Sequence, residues 1–198
     1  MQRRFAIILG GGRSARMGRD KRALTLDGRS LLALAVDACA TRDGIVAVTP
    51  DLPDDVAADQ VIRTLEDPPF GGPVAGIAAG VAALPPAQTD DEVLLLACDL
   101  PHVGEILAVL DAAPVVGCGL DHRRALDCVC LVDAEGYPQY LAARYRRAAL
   151  ENRLAAFDTT RSLSVRRLMS GLAVHRIAAP DIAADVDTPE QAEAAGLR

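Results

Sequence analysis

Aromatic side chains make up only 3% of the 198 residues, and the chain contains no Trp. The hydrophobic share is nevertheless 51%, so the core must be built mainly from Ala, Val, Leu and Ile. These residues occur in short runs separated by Gly and Pro, which is typical of buried parallel strands and the helices that cover them. The length suits one domain with a substantial core.

Several kinds of site are also missing from the sequence. There is no C-x-x-C pair, only three His are present, and no Ser/His/Asp or Cys/His nucleophile arrangement stands out. No signal peptide pattern and no apolar stretch long enough to span a bilayer occur. We therefore expect a cytoplasmic protein with free, buried thiols at its five cysteines, which are Cys39, Cys98, Cys118, Cys128 and Cys130.

The formal net charge of −6 argues against a nucleic acid as the partner. Within residues 1–30, however, eight basic side chains stand against two acidic ones, a local charge of +6 that leaves −12 for the rest of the chain. A locally positive segment on an acidic protein suits a small polyanion. A solvated basic face is the alternative that charge alone leaves open.

Strand and helix patterns alternate along the first 112 residues, which predicts an α/β domain with a mostly parallel, Rossmann-like sheet in a three-layer α/β/α arrangement. We expect strands at 5–9, 45–48, 61–65 and 93–97 and helices at 31–40, at 72–84 and from about 101 to 112. Further on we expect strands at 115–120, 128–133 and 173–177, helices within 141–157 and at 163–171, and a last helix that begins at Pro189.

The stretch Leu9–Lys21 carries the clearest chemical signal. Three glycines directly after a strand let the backbone approach a phosphate chain and expose successive N–H groups to an anion. Arg16 and Lys21 are the candidate catalytic residues, because they can neutralise the charge that develops when pyrophosphate leaves an α-phosphorus. The candidate nucleotide-binding residues of this stretch are Leu9, Gly10, Gly11, Gly12, Ser14 and Lys21.

Two other interpretations of this loop stay open. Gly10–Ala15 satisfies the dinucleotide fingerprint G-x-G-x-x-[GA], although the loop is crowded with charge and Leu24–Gly28 interrupts it before any long helix. A purely structural glycine turn is the third possibility. The pattern G-x-x-x-x-G-K-[ST] of P-loop proteins does not occur.

Asp99 follows the buried strand at 93–97, and in a parallel sheet it should share an edge with the glycine loop. Mg²⁺ prefers one or two carboxylates together with substrate phosphates, so Asp99 is the candidate metal ligand as well as a nucleotide contact. Capping of the next helix is its alternative role. Asp187 is a second candidate metal ligand, and helix capping is again the simpler role for it.

Asp67 and Gly72 precede the Ala-rich helix at 72–84. A carboxylate at this edge can accept hydrogen bonds from a base or a ribose, and small residues leave room for the nucleoside. Ordinary turn chemistry is the alternative, since Asp-Pro-Pro is itself a turn signal.

The motifs together resemble a known family. Leu9–Lys21 is similar to the signature loop of the nucleotide-diphospho-sugar transferase-like nucleotidyltransferases. The segments Gly72–Ile77 and Cys98–Pro101 look most like the molybdenum cofactor guanylyltransferases, the MobA-like proteins, which join GMP to molybdopterin. Asp185–Glu190 adds a further match near the end of the chain.

The resemblance implies GTP and molybdopterin as substrates, Mg²⁺ as the cofactor and passing contact with other molybdenum cofactor proteins. It implies one domain over 1–198, with a nucleotide-binding half to about residue 112 and an acceptor-binding half from about 113. Leu9 to Gly11 and Lys21 would hold GTP, Asp67 would contact the nucleoside and Asp99 would bind Mg²⁺. The acceptor phosphate would attack the α-phosphorus without a covalent enzyme intermediate.

The chain departs from the family pattern at three places. Gly10 stands where Ala is usual, and Thr49-Pro50 stands where Asn or Arg often follows the second strand. Asp185-Val-Asp187 replaces the Asn-x-Asn found in many guanylyltransferases and resembles cytidylyltransferase relatives. Transfer of CMP to molybdopterin, transfer of a nucleotide to a sugar phosphate, and a non-catalytic nucleotide-binding domain are therefore the alternatives.

Overall fold

The computed structural model describes residues 2–10, 24–114, 126–182 and 189–197. Its nine strands in these ranges are β1 Arg4–Leu9, β2 Thr25–Leu26, β3 Arg29–Ser30, β4 Gly44–Val48, β5 Ile62–Thr64, β6 Glu92–Ala97, β7 Cys128–Val132, β8 Pro138–Arg146 and β9 Val174–Ala178. Its six helices are α1 Leu31–Ala38, α2 Pro73–Ala82, α3 Val103–Ala112, α4 Arg147–Ala155, α5 Val165–Leu168 and α6 Pro189–Ala194.

Seven of the strands form one sheet in the order β5-β4-β1-β6-β8-β7-β9. All neighbouring pairs are parallel except the two made by β8, which runs antiparallel to both β6 and β7. The mostly parallel α/β sheet predicted from the alternating pattern is therefore confirmed. Strands from before residue 113 and strands from after residue 126 belong to this one sheet.

Helices cover both faces of the sheet, as the three-layer prediction requires. On one face, α1 and α3 pack on side chains such as Ile8, Leu94 and Leu96, all of which are buried. On the other face, α2, α4 and α5 pack on the alternate residues of the same strands, such as Ile7 and Leu95. Because the parallel strands β1, β4 and β6 are buried on both faces, their sequences are nearly continuous apolar runs.

The prediction of helices throughout 141–157 is wrong in its first part, because Leu141–Arg146 belongs to β8. Ala142, Ala143 and Tyr145 are buried on the two faces of the sheet, so the segment lacks the polar-apolar alternation that marks a strand. Arg144 resembled the polar side of a helix, yet it is 2% exposed and ion-paired with Glu92 at 3.3 Å. Pairing of β8 with β6 and β7 overrides the helix propensity of alanine.

The other elements of the second half agree with the pattern more closely. The helix expected at 163–171 is present but is confined to Val165–Leu168. The strand expected at 115–120 lies outside the described residues. Cys128 and Cys130 lie in the same core cluster, so they share one face of β7.

The thiols of Cys39, Cys98, Cys128 and Cys130 are all free and buried. Burial raises the pKa of Cys39 to about 12, so this thiol stays protonated and unreactive. The expectation of free, buried thiols is confirmed for these four, whereas Cys118 lies outside the described residues.

A small third cluster joins the C-terminal helix to the residues that follow the glycine loop. The hairpin β2–β3 was not predicted from the sequence, and Leu24 and Leu31 at its two ends are buried together with Ala192 and Leu197. The helix α6 and Leu197 after it therefore pack directly beside the β2–β3 hairpin.

Buried ion pairs gather at the edge where β1 and β6 begin. Asp91 is 1% exposed and accepts hydrogen bonds from Arg3 at 2.6 and 3.0 Å. Burial alone would raise the pKa of Asp91, but the hydrogen bonds from Arg3 and from the Gln88 N–H outweigh it and lower the pKa. These pairs fasten the strands at the edge opposite the predicted site. None of the helices in the described ranges is both long and apolar enough to cross a membrane.

Two glycines of α2 face β1 and differ in the space around them. A methyl group on Gly80 would lie 2.5 Å from the Cγ2 of Ile7, whereas one on Gly76 would make ordinary contacts of 3.5 Å with Leu9 and Val48. We expect Gly80→Ala to lower the free energy of unfolding by about 1–3 kcal/mol through overpacking. Gly76→Ala should be neutral or should raise it by up to about 1 kcal/mol, because alanine favours the helix. Urea denaturation of both variants provides the measurement, and equal midpoints would contradict this account of the packing.

Candidate active site

Three parallel strands end at one level of the sheet. Leu9 of β1 pairs with Val48 of β4 on one side and with Ala97 of β6 on the other. The residues that follow therefore leave the sheet together at its carboxyl edge. This confirms that Gly10 and Asp99 lie at the same edge, where ligands of such sheets bind.

The first residues of the glycine stretch still belong to the sheet. The N–H of Gly10 donates to the carbonyl of Val48 at 2.9 Å, and the carbonyl of Leu9 accepts from the N–H of Cys98 at 3.0 Å. The amide of Gly10 is thus used in the ladder and does not serve as a phosphate ligand. Contact of Leu9 and Gly10 with the nucleotide remains a prediction, and for Gly10 it would use its α-carbon or carbonyl.

Thr49 explains why position 10 lacks a side chain. A methyl group on Gly10 would lie 3.1 Å from the Cβ and 3.3 Å from the Oγ1 of Thr49. Thr49 is completely buried and its hydroxyl donates to the carbonyl of Asp51 at 2.8 Å, so it cannot easily give way. The backbone of Gly10 is not left-handed, so space alone demands the glycine. The departures at Gly10 and Thr49 are therefore one linked feature.

Asp99 lies in the turn that joins β6 to α3 and is 9% exposed. The N-cap residue of α3 is His102, three positions further on, and it makes no capping hydrogen bond with its side chain. Asp99 therefore does not occupy the capping position considered for it. A buried carboxylate at the carboxyl edge of a parallel sheet is instead placed to meet a ligand.

The motifs imply a magnesium ion, and Asp99 is the candidate ligand for it. The described residues hold no cluster of three or more His, Cys, Asp or Glu side chains that could coordinate a metal without help. Mg²⁺ bound through one carboxylate, substrate phosphates and water needs no such cluster. The single, nearly buried oxygen donor group of Asp99 therefore fits this ion.

The loop between β5 and α2 carries Asp67 and Gly72 to the same edge. Asp67 is exposed, while Gly72 is the N-cap of α2 with a φ of 92°, a conformation that favours glycine. Pro73 occupies the first turn, where its fixed φ and missing N–H suit the start of a helix. Within the loop, the N–H of Gly71 donates to the side chain of Glu66 at 3.3 Å. This places an exposed carboxylate and a tightly folded backbone beside the start of α2.

A second loop, between α4 and α5, holds this one in place and was not found from the sequence. The guanidinium of Arg161 donates to the carbonyl of Pro68, and the N–H of Ser162 donates to the carbonyl of Gly71 at 2.8 Å. Arg161 and Pro68 are 93 positions apart, so no local pattern connects them. Ser162 has a positive φ of 56°, which could not be predicted from the sequence because serine rarely adopts this conformation.

The remaining candidates fall outside the described residues. They are Gly11, Gly12, Ser14, Arg16, Lys21 and Asp187. The flanks of the two segments that contain them do meet, since Leu24 after the first and Ala192 after the second share one core cluster.

The mostly parallel sheet carries Gly10, the nearly buried Asp99 and the loop before α2 at its carboxyl edge, the edge at which α/β proteins of this type bind their ligands. The model of the family described as the MobA-like NTP transferase domain matches residues 6–177. The chain belongs to this family.

Curated relatives match over shorter stretches. A probable molybdenum cofactor guanylyltransferase of Trichormus variabilis is 37% identical over 116 residues, which are 55% of this chain and 54% of the relative. A protein of the same description from Synechococcus elongatus is 40% identical over 101 residues, 50% of this chain and 51% of the relative. The chain thus spans about half the length of the curated relatives it matches.

Among solved structures, the molybdopterin-guanine dinucleotide biosynthesis protein A of Archaeoglobus fulgidus superposes with a TM-score of 0.67. The match covers 97% of this chain and 96% of that one at 20% identity. At this identity the likeness shows the fold alone.

We expect Gly10→Ala to lower the free energy of unfolding by about 1–3 kcal/mol, because the added methyl group meets the buried Thr49. Gly104→Ala is the matched control, since no atom lies within 4 Å of a methyl group at that position. Thermal and urea unfolding of the two variants give the comparison. A Gly10→Ala protein as stable as the control would show that Thr49 does not dictate the glycine.

Proposed function

We propose that this protein transfers GMP from GTP to the phosphate of molybdopterin and releases pyrophosphate. The proposal rests on one observation: β1, β4 and β6 end side by side at the carboxyl edge of the sheet, so that Gly10, Thr49 and Asp99 lie at that edge. Membership of the MobA-like family and the printed names of its curated relatives favour guanylyl transfer.

Under this proposal the two halves of the chain have different substrates. Residues 1–112 bind GTP, and residues 113–198 bind the molybdopterin acceptor. Asp67 contacts the nucleoside from the loop before α2, and the bent backbone at Gly72 leaves space beside it. Both substrates are small anions; nucleic acid and membrane are not partners, and transfer of the product would involve brief contact with other molybdenum cofactor proteins.

Asp99 would hold Mg²⁺ together with phosphate oxygens of the nucleotide, and the bound ion would supply neutralisation of their charge. An oxygen of the acceptor phosphate attacks the α-phosphorus, and the bond from that phosphorus to the pyrophosphate oxygen breaks. Lys21 and Arg16 lower the cost of the charge that accumulates on the leaving group. No side chain acts as nucleophile, so the contribution of the protein is orientation and electrostatic stabilisation.

The four buried, free thiols suit a reducing compartment, and we place the protein in the cytoplasm on that ground. The pair Asp185 and Asp187 favours a second candidate base, cytosine, because this form resembles the cytidylyltransferase relatives. The choice between guanine and cytosine is therefore the first point to test.

Calorimetric titration with GTP, CTP, ATP and UTP, each with and without Mg²⁺, tests the proposal. We expect GTP to bind at least about tenfold more tightly than the others and more tightly with magnesium than without it. A preference for CTP would retain the reaction and change the base. Absence of binding by all four nucleotides would overturn the proposed function.

The role of Asp99 predicts that Asp99→Asn lowers turnover in magnesium by roughly 100-fold or more, since the variant keeps the shape of the side chain and loses its charge. Asp90→Asn is the control: it removes one negative charge from an exposed residue before the opposite end of β6. Turnover is measured as pyrophosphate release with molybdopterin as acceptor, and thermal unfolding reports whether each variant is folded. Turnover of Asp99→Asn within about threefold of the control would refute the metal role.

A further inference from the structure

The most informative contacts outside the predicted motifs join the loop at 66–72 to the loop between α4 and α5. They come from opposite halves of the chain and consist of two backbone carbonyls, those of Pro68 and Gly71, that accept from Arg161 and from the N–H of Ser162. We define Arg161 and Ser162 as the brace, and residues 66–72 as the nucleoside loop. Resting on the proposed function, we propose that Arg161 is a positioning residue that holds the nucleoside loop in its binding conformation.

The brace is itself firmly anchored. Leu163 packs on the core cluster beneath α2, and Leu168 of α5 is fully buried in it. Ser164 caps α5 by accepting from the N–H of Arg167 at 3.3 Å. Because the residues directly after Arg161 are held by the core, the guanidinium has a fixed base from which to reach the other loop.

The residues between those two carbonyls lie at the surface in an unusual backbone conformation. Residues 67–70 are exposed, and Phe70 has a positive φ of 63° although it is not a glycine. Backbone of that kind persists only when surrounding contacts hold it. The carbonyls that Arg161 and Ser162 engage lie on either side of Pro69 and Phe70, where such support is needed.

Close packing at Gly71 shows how tightly the two loops fit. A methyl group at that position would lie 3.0 Å from the Nη1 of Arg161 and 2.6 Å from the Cβ of Ala75. Gly71 is buried and its own N–H is bonded to Glu66. The position of Asp67, which follows Glu66 directly, is thus set by contacts that include the acceptor half of the chain.

Removal of Arg161 should therefore weaken nucleoside binding without changing the chemistry. We expect Arg161→Ala to raise the dissociation constant and the KM for GTP by about fivefold to tenfold, as for loss of one ordinary hydrogen bond, because the exposed guanidinium is screened by water. The kcat should stay within about twofold. Binding of pyrophosphate, which lacks a nucleoside, should be unchanged, and Arg161→Lys should recover most of the affinity because it retains a charged donor.

Arg166→Ala is the matched control, because Arg166 is exposed on α5 and its loss changes the net charge equally. Titrations with GTP at about 0.05 and 0.5 M salt distinguish the brace from long-range attraction between Arg161 and the GTP phosphates. Salt screens that attraction, so a loss of affinity caused by it would shrink at the higher salt concentration. The brace predicts the same loss of affinity at both salt concentrations and faster amide exchange at Phe70, Gly71 and Gly72 in Arg161→Ala alone. Thermal unfolding confirms that the variants are folded.

Equal GTP binding by wild type and Arg161→Ala would overturn the brace while leaving the proposed function in place. Equal losses in Arg161→Ala and Arg166→Ala, or a loss that disappears at high salt, would also overturn it. Failure of the wild-type protein to bind any nucleotide would overturn the proposed function and, with it, the role of Arg161 in substrate binding.

Discussion

The parallel pairing of β1 between β4 and β6 is the constraint on which the rest of the molecule depends. It ends three strands at one level, so that residues far apart in sequence leave the sheet side by side. The candidate site residues Gly10 and Asp99 then follow their strands within two positions. The same pairing buries the central strands on both faces, and the small residues of α2 allow that helix to lie close against them.

Polar chemistry is divided between the two edges of this sheet. At the edge where β1 and β6 begin, carboxylates such as Asp91 and Glu92 are buried against arginines and are already partnered. Such pairs contribute little net stability, but loss of either member would leave a buried charge behind. The carboxyl edge has Asp99 in a turn and Asp67 in an exposed loop. The carboxylates predicted to contact a substrate are thereby kept apart from those that hold the strands together.

The sequence was informative where local signals and tertiary structure agree. Short apolar runs bounded by glycine or proline located β1, β4, β6 and α2 to within about two residues. Arg144 shows where this fails, because a buried arginine in an alanine-rich run is understandable only once Glu92 is known to lie opposite. Thr49 could be marked as unusual from the sequence, but its effect on Gly10 needed the distance between them. No sequence pattern pointed to Arg161, because its partner is a backbone carbonyl 93 positions away.

The third core cluster has a consequence for the order in which the molecule is made. Leu24 and Leu31, at the ends of the hairpin that follows the glycine stretch, are covered by Ala192 and Leu197. Ala192 and Leu197 leave the ribosome only after all seven strands of the large sheet have been made. Until then these two residues cannot cover Leu24 and Leu31. A nascent chain can therefore assemble its central sheet well before the third cluster is complete.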